Sequence, residues 1–213
     1  MSAEPARPSL AELTLAADPA AWRAAGFEVG DDGTASIGSV RVRLGAGGGR
    51  RITSWSLRDL PSTQLDGLPT EVSDPPVAPT AAAHPNGAER IDHVVAFSPD
   101  LERTIAALRA AGLDFRRLRE GPTPAGAQRQ AFFRVGEAIL EVIEHPPGTA
   151  ASEDPDAPAR FYGLALATGD IDATARVLGR LLGEVRDAIQ PGRRIATVRP
   201  KAALGMPVAF MSV

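Results

Sequence analysis

"RIDHVVAFSPDLERTIAALRAAG", residues 90–112, runs a β-branched stretch into Ser-Pro-Asp and then into a helical period. Ile91 to Phe97 predicts a strand. Ser98 or Asp100 can cap the helix that follows, and Pro99 suits its first turn. Leu101, Ile105, Leu108 and Ala111 then recur on one stripe of that helix, and Gly112 ends it. Beyond it, "LDFRRL" predicts a strand, "GPTPAG" a break, and "RQAFFRV" and "AILEVIE" two strands joined by a tight turn at Gly136-Glu137. The order is β-α-β-β-β.

The order then repeats. "AFSPDLERTIAALRAAGLDF" (96–115) lies over "ALATGDIDATARVLGRLLGEV" (165–185), with Asp100 on Asp170, Leu101 on Ile171, Leu108 on Leu178, and Gly112 on Gly183 after one inserted residue. "RQAFFRV" falls on "RRIATVR", and "ILEVI" on the terminal "PVAFM". One such unit cannot bury its sheet alone, so two copies imply side-by-side units. The expected fold class is α+β: paired βαβββ units in a curved mixed sheet around a cleft. Their spans are 89–147 and 160–213, within a domain over 89–213.

Residues 73–88 are rich in Pro and Ala without hydrophobic period, and predict a linker. Before them, residues 1–72 hold one shortened unit. "ELTLAADPAAWRAAGFEV" predicts strand, short helix and strand, and "TASIGSVRVRLG" a hairpin through Gly38-Ser39. "RRITSWSLRDL" looks like the first strand of a further unit.

Composition narrows the function. The chain of 213 residues is 44% hydrophobic and 23% charged, with a formal charge of −3, so a nucleic-acid partner is not expected. It has no cysteine, hence neither disulfides nor a thiolate site. No signal pattern and no apolar run of membrane length is present, which predicts a cytoplasmic protein. "GAGGG" at 45–49 lacks the residues of a phosphate loop or a dinucleotide fingerprint.

"DHVVAFSPDLERTIAALRAAGLDF" as opening strand and helix, with "FFRVGEAILEVIE" as closing hairpin, resembles the vicinal-oxygen-chelate superfamily of glyoxalases, bleomycin-resistance proteins and extradiol dioxygenases. The resemblance covers residues 89–213 well and 9–60 weakly. It implies that each unit offers one metal ligand from its first strand and one from its last, so that paired units surround a divalent ion. Carried over, these positions are His93 and Glu141 in the first unit, good ligands for Zn, Ni, Mn or Fe(II). In the second unit they are Gly163 and Ala209, which cannot bind metal. The N-terminal unit puts Glu12 and Arg43 near the corresponding places.

Glu141 shares a strand face with Ile139 and Ile143, so it is expected in a lined cavity with a raised pKa suited to a general base. Gln130, Tyr162, Arg193 and Arg194 are candidates for ligand binding, the arginines as clamps on a carboxylate or phosphate. His84 and His145 are expected in solvent. Two readings stay open: a glyoxalase-like lyase, isomerase or dioxygenase acting at His93 and Glu141 on a small oxygenated metabolite, and a metal-free protein that sequesters a small molecule. Superfamily members often dimerise, so a homodimer is expected.

Overall fold

A computed structural model describes residues 7–45, 51–73, 82–123, 126–145 and 154–213. The first part of the chain forms a five-stranded sheet from β1 (Ser9–Ala16), β2 (Thr34–Ile37), β3 (Val40–Leu44), β4 (Arg51–Arg58) and β5 (Thr70–Val72), with helix α1 (Pro19–Ala24) after β1. Its order is β2-β3-β1-β4-β5. The rest forms an eight-stranded sheet. β6 (Arg90–Ser98), α2 (Leu101–Ala110), β7 (Asp114–Thr123), β8 (Gly126–Val135) and β9 (Ala138–Glu144) make one βαβββ unit. β10 (Arg160–Thr168), α3 (Ile171–Leu178), β11 (Arg186–Asp187), β12 (Arg194–Thr197) and β13 (Val208–Ser212) make the second. The order is β11-β12-β13-β10-β6-β9-β8-β7.

Both units use the same local chemistry. Asp100 and Asp170 cap the two helices with their carboxylates. Ser98 on β6 hydrogen-bonds Thr104 of α2 at 2.6 Å, and Thr168 on β10 hydrogen-bonds Thr174 of α3 at 3.0 Å, all four side chains being buried. Ser98 does not cap the helix but receives the Asp100 N–H, and Pro99 precedes the cap instead of opening the first turn. In each unit the helix carries the chain over to the outer strand, from which two more strands return, so that the last strand lies parallel to the first, β6 with β9 and β10 with β13.

The units join through their first strands, β6 antiparallel to β10. The ladder contains two bulges: Asp92 is the extra residue on β6 opposite Ala165–Leu166, and Tyr162 the extra residue on β10 opposite Ala96–Val95. The register is therefore two-fold. His93 pairs with Ala165 as Gly163 pairs with Val95, and Val95 pairs with Glu141 as Ala165 pairs with Ala209. The smaller sheet repeats this pattern at the β1–β4 ladder, with Ala11 and Thr53 as the extra residues. There Thr14 pairs with Arg43 and Ser56 with Glu71, in the manner of Val95 with Glu141.

Alternation divides the larger sheet into two faces. Ile91, Val94, Ala96 and Ser98 of β6 are buried on the helix side. The smaller sheet packs on that same side: Trp55 meets Phe161 edge-on at 5.3 Å, Phe27 stacks near Phe210 at 6.3 Å, and the Trp22 indole donates to the Leu204 carbonyl. One continuous core results. On the opposite face, with His93, Val95 and Phe97, no helix or second sheet packs among the described residues, and we call it the open face.

Three local expectations change. No strand forms at "FEV"; Phe27 is instead buried against Trp22, and Gly30 N–H closes a turn onto Thr34. "GPTPAG" is a shorter break than its prolines suggest, since Gly121 to Thr123 still pair with Gln128 to Gly126. Pro122 costs little there because β7 is an edge strand. In the proline-rich stretch, residues 74–81 lie outside the described residues, but 82–89 are packed. His84 is 7% exposed, not in solvent. Its Nδ1 accepts the Glu28 N–H and its Nε2 contacts the Ser36 carbonyl, which fixes a neutral ring; burial lowers its pKa.

Candidate functional site

The bulge in β6 builds the site. Neighbours on a regular strand point to opposite faces, whereas a bulge turns two successive side chains to one side. Asp92 and His93 consequently meet, His93 Nδ1 lying 2.6 Å from Asp92 Oδ2. Arg193, from the loop before β12 of the second unit, donates to both carboxylate oxygens at 2.9 and 3.2 Å. It is held in turn by the Ser212 carbonyl and the Gln190 side chain. Burial would raise the Asp92 pKa, but the hydrogen bonds and charges of His93 and Arg193 outweigh it and hold the carboxyl far below the usual range. Asp92 is thus an anion set against the Nδ1 edge of His93, and Nε2 has no hydrogen-bond partner among the described residues.

Glu141 stands on the same open face. It is beside Val95 on β9, diagonal to His93, and opposite Phe132 on β8. Burial raises its pKa, against the opposing charges of His93, Arg119 and Arg117. Its carboxyl has no hydrogen-bond partner among the described residues. The Phe132 ring approaches His93 edge-on at 6.4 Å, and the Arg117 guanidinium lies over Phe132 at 4.8 Å.

The other candidates scatter. Gln130 joins this face, opposite Ile143 and Arg119. Tyr162 occupies the bulge position that Asp92 holds in the first unit, but it is 46% exposed and packs edge-on against Phe97 at 4.7 Å. Arg193 is tied to Asp92 and does not stand free as a clamp. Arg194 points to the other side of its strand, where it forms a bidentate pair with Asp172 of α3. His145 is half-buried, not solvated: its ring stacks on Phe97 at 4.8 Å. Sequence reasoning overlooked Asp92, Arg117 and Arg119. The alternation of "DFRRLRE" would have put both arginines on one face, but nothing in "RIDHV" signals the bulge.

A divalent metal fits this set poorly. His93 and Glu141 are the donors from the first unit, and the two-fold register sends them to Gly163 and Ala209, which have none to offer. Among the described residues no cluster of three His, Cys, Asp or Glu side chains could hold an ion, whereas metal sites normally take three or four protein ligands.

The sequence profile of the Glyoxalase/Bleomycin resistance protein/Dioxygenase superfamily matches residues 90–196, half of the chain. No curated protein matches. Among solved structures, the chain is similar to methylmalonyl-CoA epimerase from Mycobacterium tuberculosis, at 20% identity and a TM-score of 0.48 over 59% of this chain and 89% of that one. A Streptomyces coelicolor methylmalonyl-CoA epimerase variant with 2-nitronate-propionyl-CoA gives 22% and 0.46, over 59% and 97%. A hypothetical protein from Bacillus halodurans C-125 gives 15% and 0.47, over 58% and 94%.

Proposed function

We propose, from the premise that this chain belongs to the Glyoxalase/Bleomycin resistance protein/Dioxygenase superfamily, that it is an acid–base enzyme that moves a proton on a small oxygenated metabolite bound at the open face of residues 89–213. The observation that supports this best is the Asp92–His93 pair at 2.6 Å, buried and fixed by Arg193. In this reading Nε2 of His93 takes a proton from a carbon next to a carbonyl, breaking the C–H bond, and Asp92 steadies the imidazolium that forms. Glu141, whose neutral form burial favours, returns a proton to complete an isomerisation. No step passes through a metal, because the donor set does not fit one. The partner implied is a small molecule. Among the described residues no helix is long and apolar enough to cross a membrane.

Exchange in heavy water tests this whichever carbon acid is the substrate. A panel of small hydroxy-, keto- and thioester carbon acids is incubated with the protein, and loss of the C–H proton signal is followed by NMR. At least one compound should exchange above the buffer rate, and His93→Ala or Glu141→Gln should slow it by about 10²–10⁴. The small side chains Gly163, Ala165 and Ala209 on the second unit favour a second reading, a ligand held and not transformed. Saturable binding with no exchange anywhere in the panel would decide for it.

A further inference from the structure

Arg117 and Arg119 stand on the open face of the edge strand β7. Arg117 is opposite Phe132 and Arg119 opposite Gln130, and Phe132 is in turn opposite Glu141. Most other arginines near a carboxylate in this chain are paired: Arg43 with Glu12, Arg103 with Asp66, Arg129 with Glu144, Arg193 with Asp92 and Arg194 with Asp172. Among the described residues Arg117 and Arg119 have neither an ion pair nor a hydrogen bond. Arg117 is held by the Phe132 ring, and Arg119 reaches over Gly121, its Nη2 4.0 Å from where a Cβ would stand. The acid that feels both is Glu141, which burial inclines to its neutral form. Two cations beside such a group leave this wall positive. The opposite wall is small and apolar, with Ala165, Ala209 and Met211.

We propose that Arg117 and Arg119, with the Gln130 amide beside Arg119, form a subsite for an anionic group of the substrate, a carboxylate or a phosphate. The inference rests on the reading of this face as the reaction site and adds the substrate class: a carbon acid carrying an anion at its β7 end. β7 lies two strands from β9, roughly 10 Å at ordinary strand spacing, so an arginine reaching back across β8 suits a short metabolite.

Malonate and inorganic phosphate serve as probes, titrated into the full chain by calorimetry at low salt. At least one should bind, more weakly as salt rises, and the Arg117→Met/Arg119→Met double variant should lose about tenfold or more. Arg194→Met, on the far side, should change nothing, and Arg119→Lys should retain part of the binding with an unchanged melting curve. Binding of malonate alone assigns a carboxylate, and of phosphate alone a phosphate ester. Neither probe binding, or equal binding by the double variant, overturns the subsite. Arginine-dependent binding without proton exchange in any anionic carbon acid would sink the reaction and keep the subsite. Exchange of neutral carbon acids, indifferent to the arginine variants, would do the reverse.

Discussion

The two βαβββ units share caps, threonine pairs and ladder register, yet they divide the open face unequally. The first unit supplies the ionisable groups: Asp92, His93 and Glu141, with the β7 arginines beside them. At the related positions the second has Tyr162, Gly163 and Ala209. Its contribution is indirect, since Arg193 crosses the junction to hold Asp92. The second unit thus offers few ionisable side chains to this face while it orients a group in the first. Gly163 shows why a larger side chain does not fit there. A Cβ there would stand 2.5 Å from the Pro207 carbonyl oxygen, which accepts the Leu164 N–H. The backbone just before β13 occupies the space a ligand side chain would need.

Substitutions can probe this asymmetry. The largest effect is expected at the crossing between units: Asp92→Asn leaves Arg193 without its counter-charge and should cost about 3 kcal/mol in denaturant unfolding near neutral pH. The cost should shrink in acid. The folded pKa of Asp92 lies below its unfolded value, so its contribution is present above the unfolded pKa and is lost as pH falls through the folded one. A loss under about 0.5 kcal/mol, the range of ordinary surface changes, would mean that Arg193 and Asp92 are not coupled. Next, Gly163→Ala should cost about 2 kcal/mol by overpacking against Pro207, while Ala209→Ser on the neighbouring strand should be near neutral; equal melting temperatures would refute the filled space.

Smallest, and of opposite sign, Glu141→Gln should stabilise the fold by about 1 kcal/mol at neutral pH. The folded pKa of Glu141 is raised, so its burial cost is absent below the unfolded pKa and grows as pH rises through the folded one. The gain should therefore vanish in acid, and a pH-independent difference would point to packing instead.

The fold was legible because its signals are local and doubled: aspartate before each helix, one apolar stripe per helix, glycine at the hairpin. Alternation also placed Glu141 with Ile139 and Ile143. What escaped was set by long-range register. An extra residue in β6 depends on how β10 pairs with it, and plain alternation sends Asp92 to the opposite face from His93. His84 looked solvated because its surroundings are prolines and alanines, yet its partners Glu28 and Ser36 are remote in sequence. Arg193 and Arg194 were indistinguishable as neighbours, and only the strand decides which reaches Asp92 and which reaches Asp172.

The reaction proposed for the open face depends on the protonation state of His93. Nitrogen-15 NMR of the imidazole at neutral pH, in the wild type and in Asp92→Asn, measures it directly. The expected spectra show a protonated Nδ1 and a bare Nε2 in the wild type, with the tautomers mixing once Asp92 is amidated. A proton on Nε2 in the wild type, or spectra unchanged by the substitution, would remove His93 as the base.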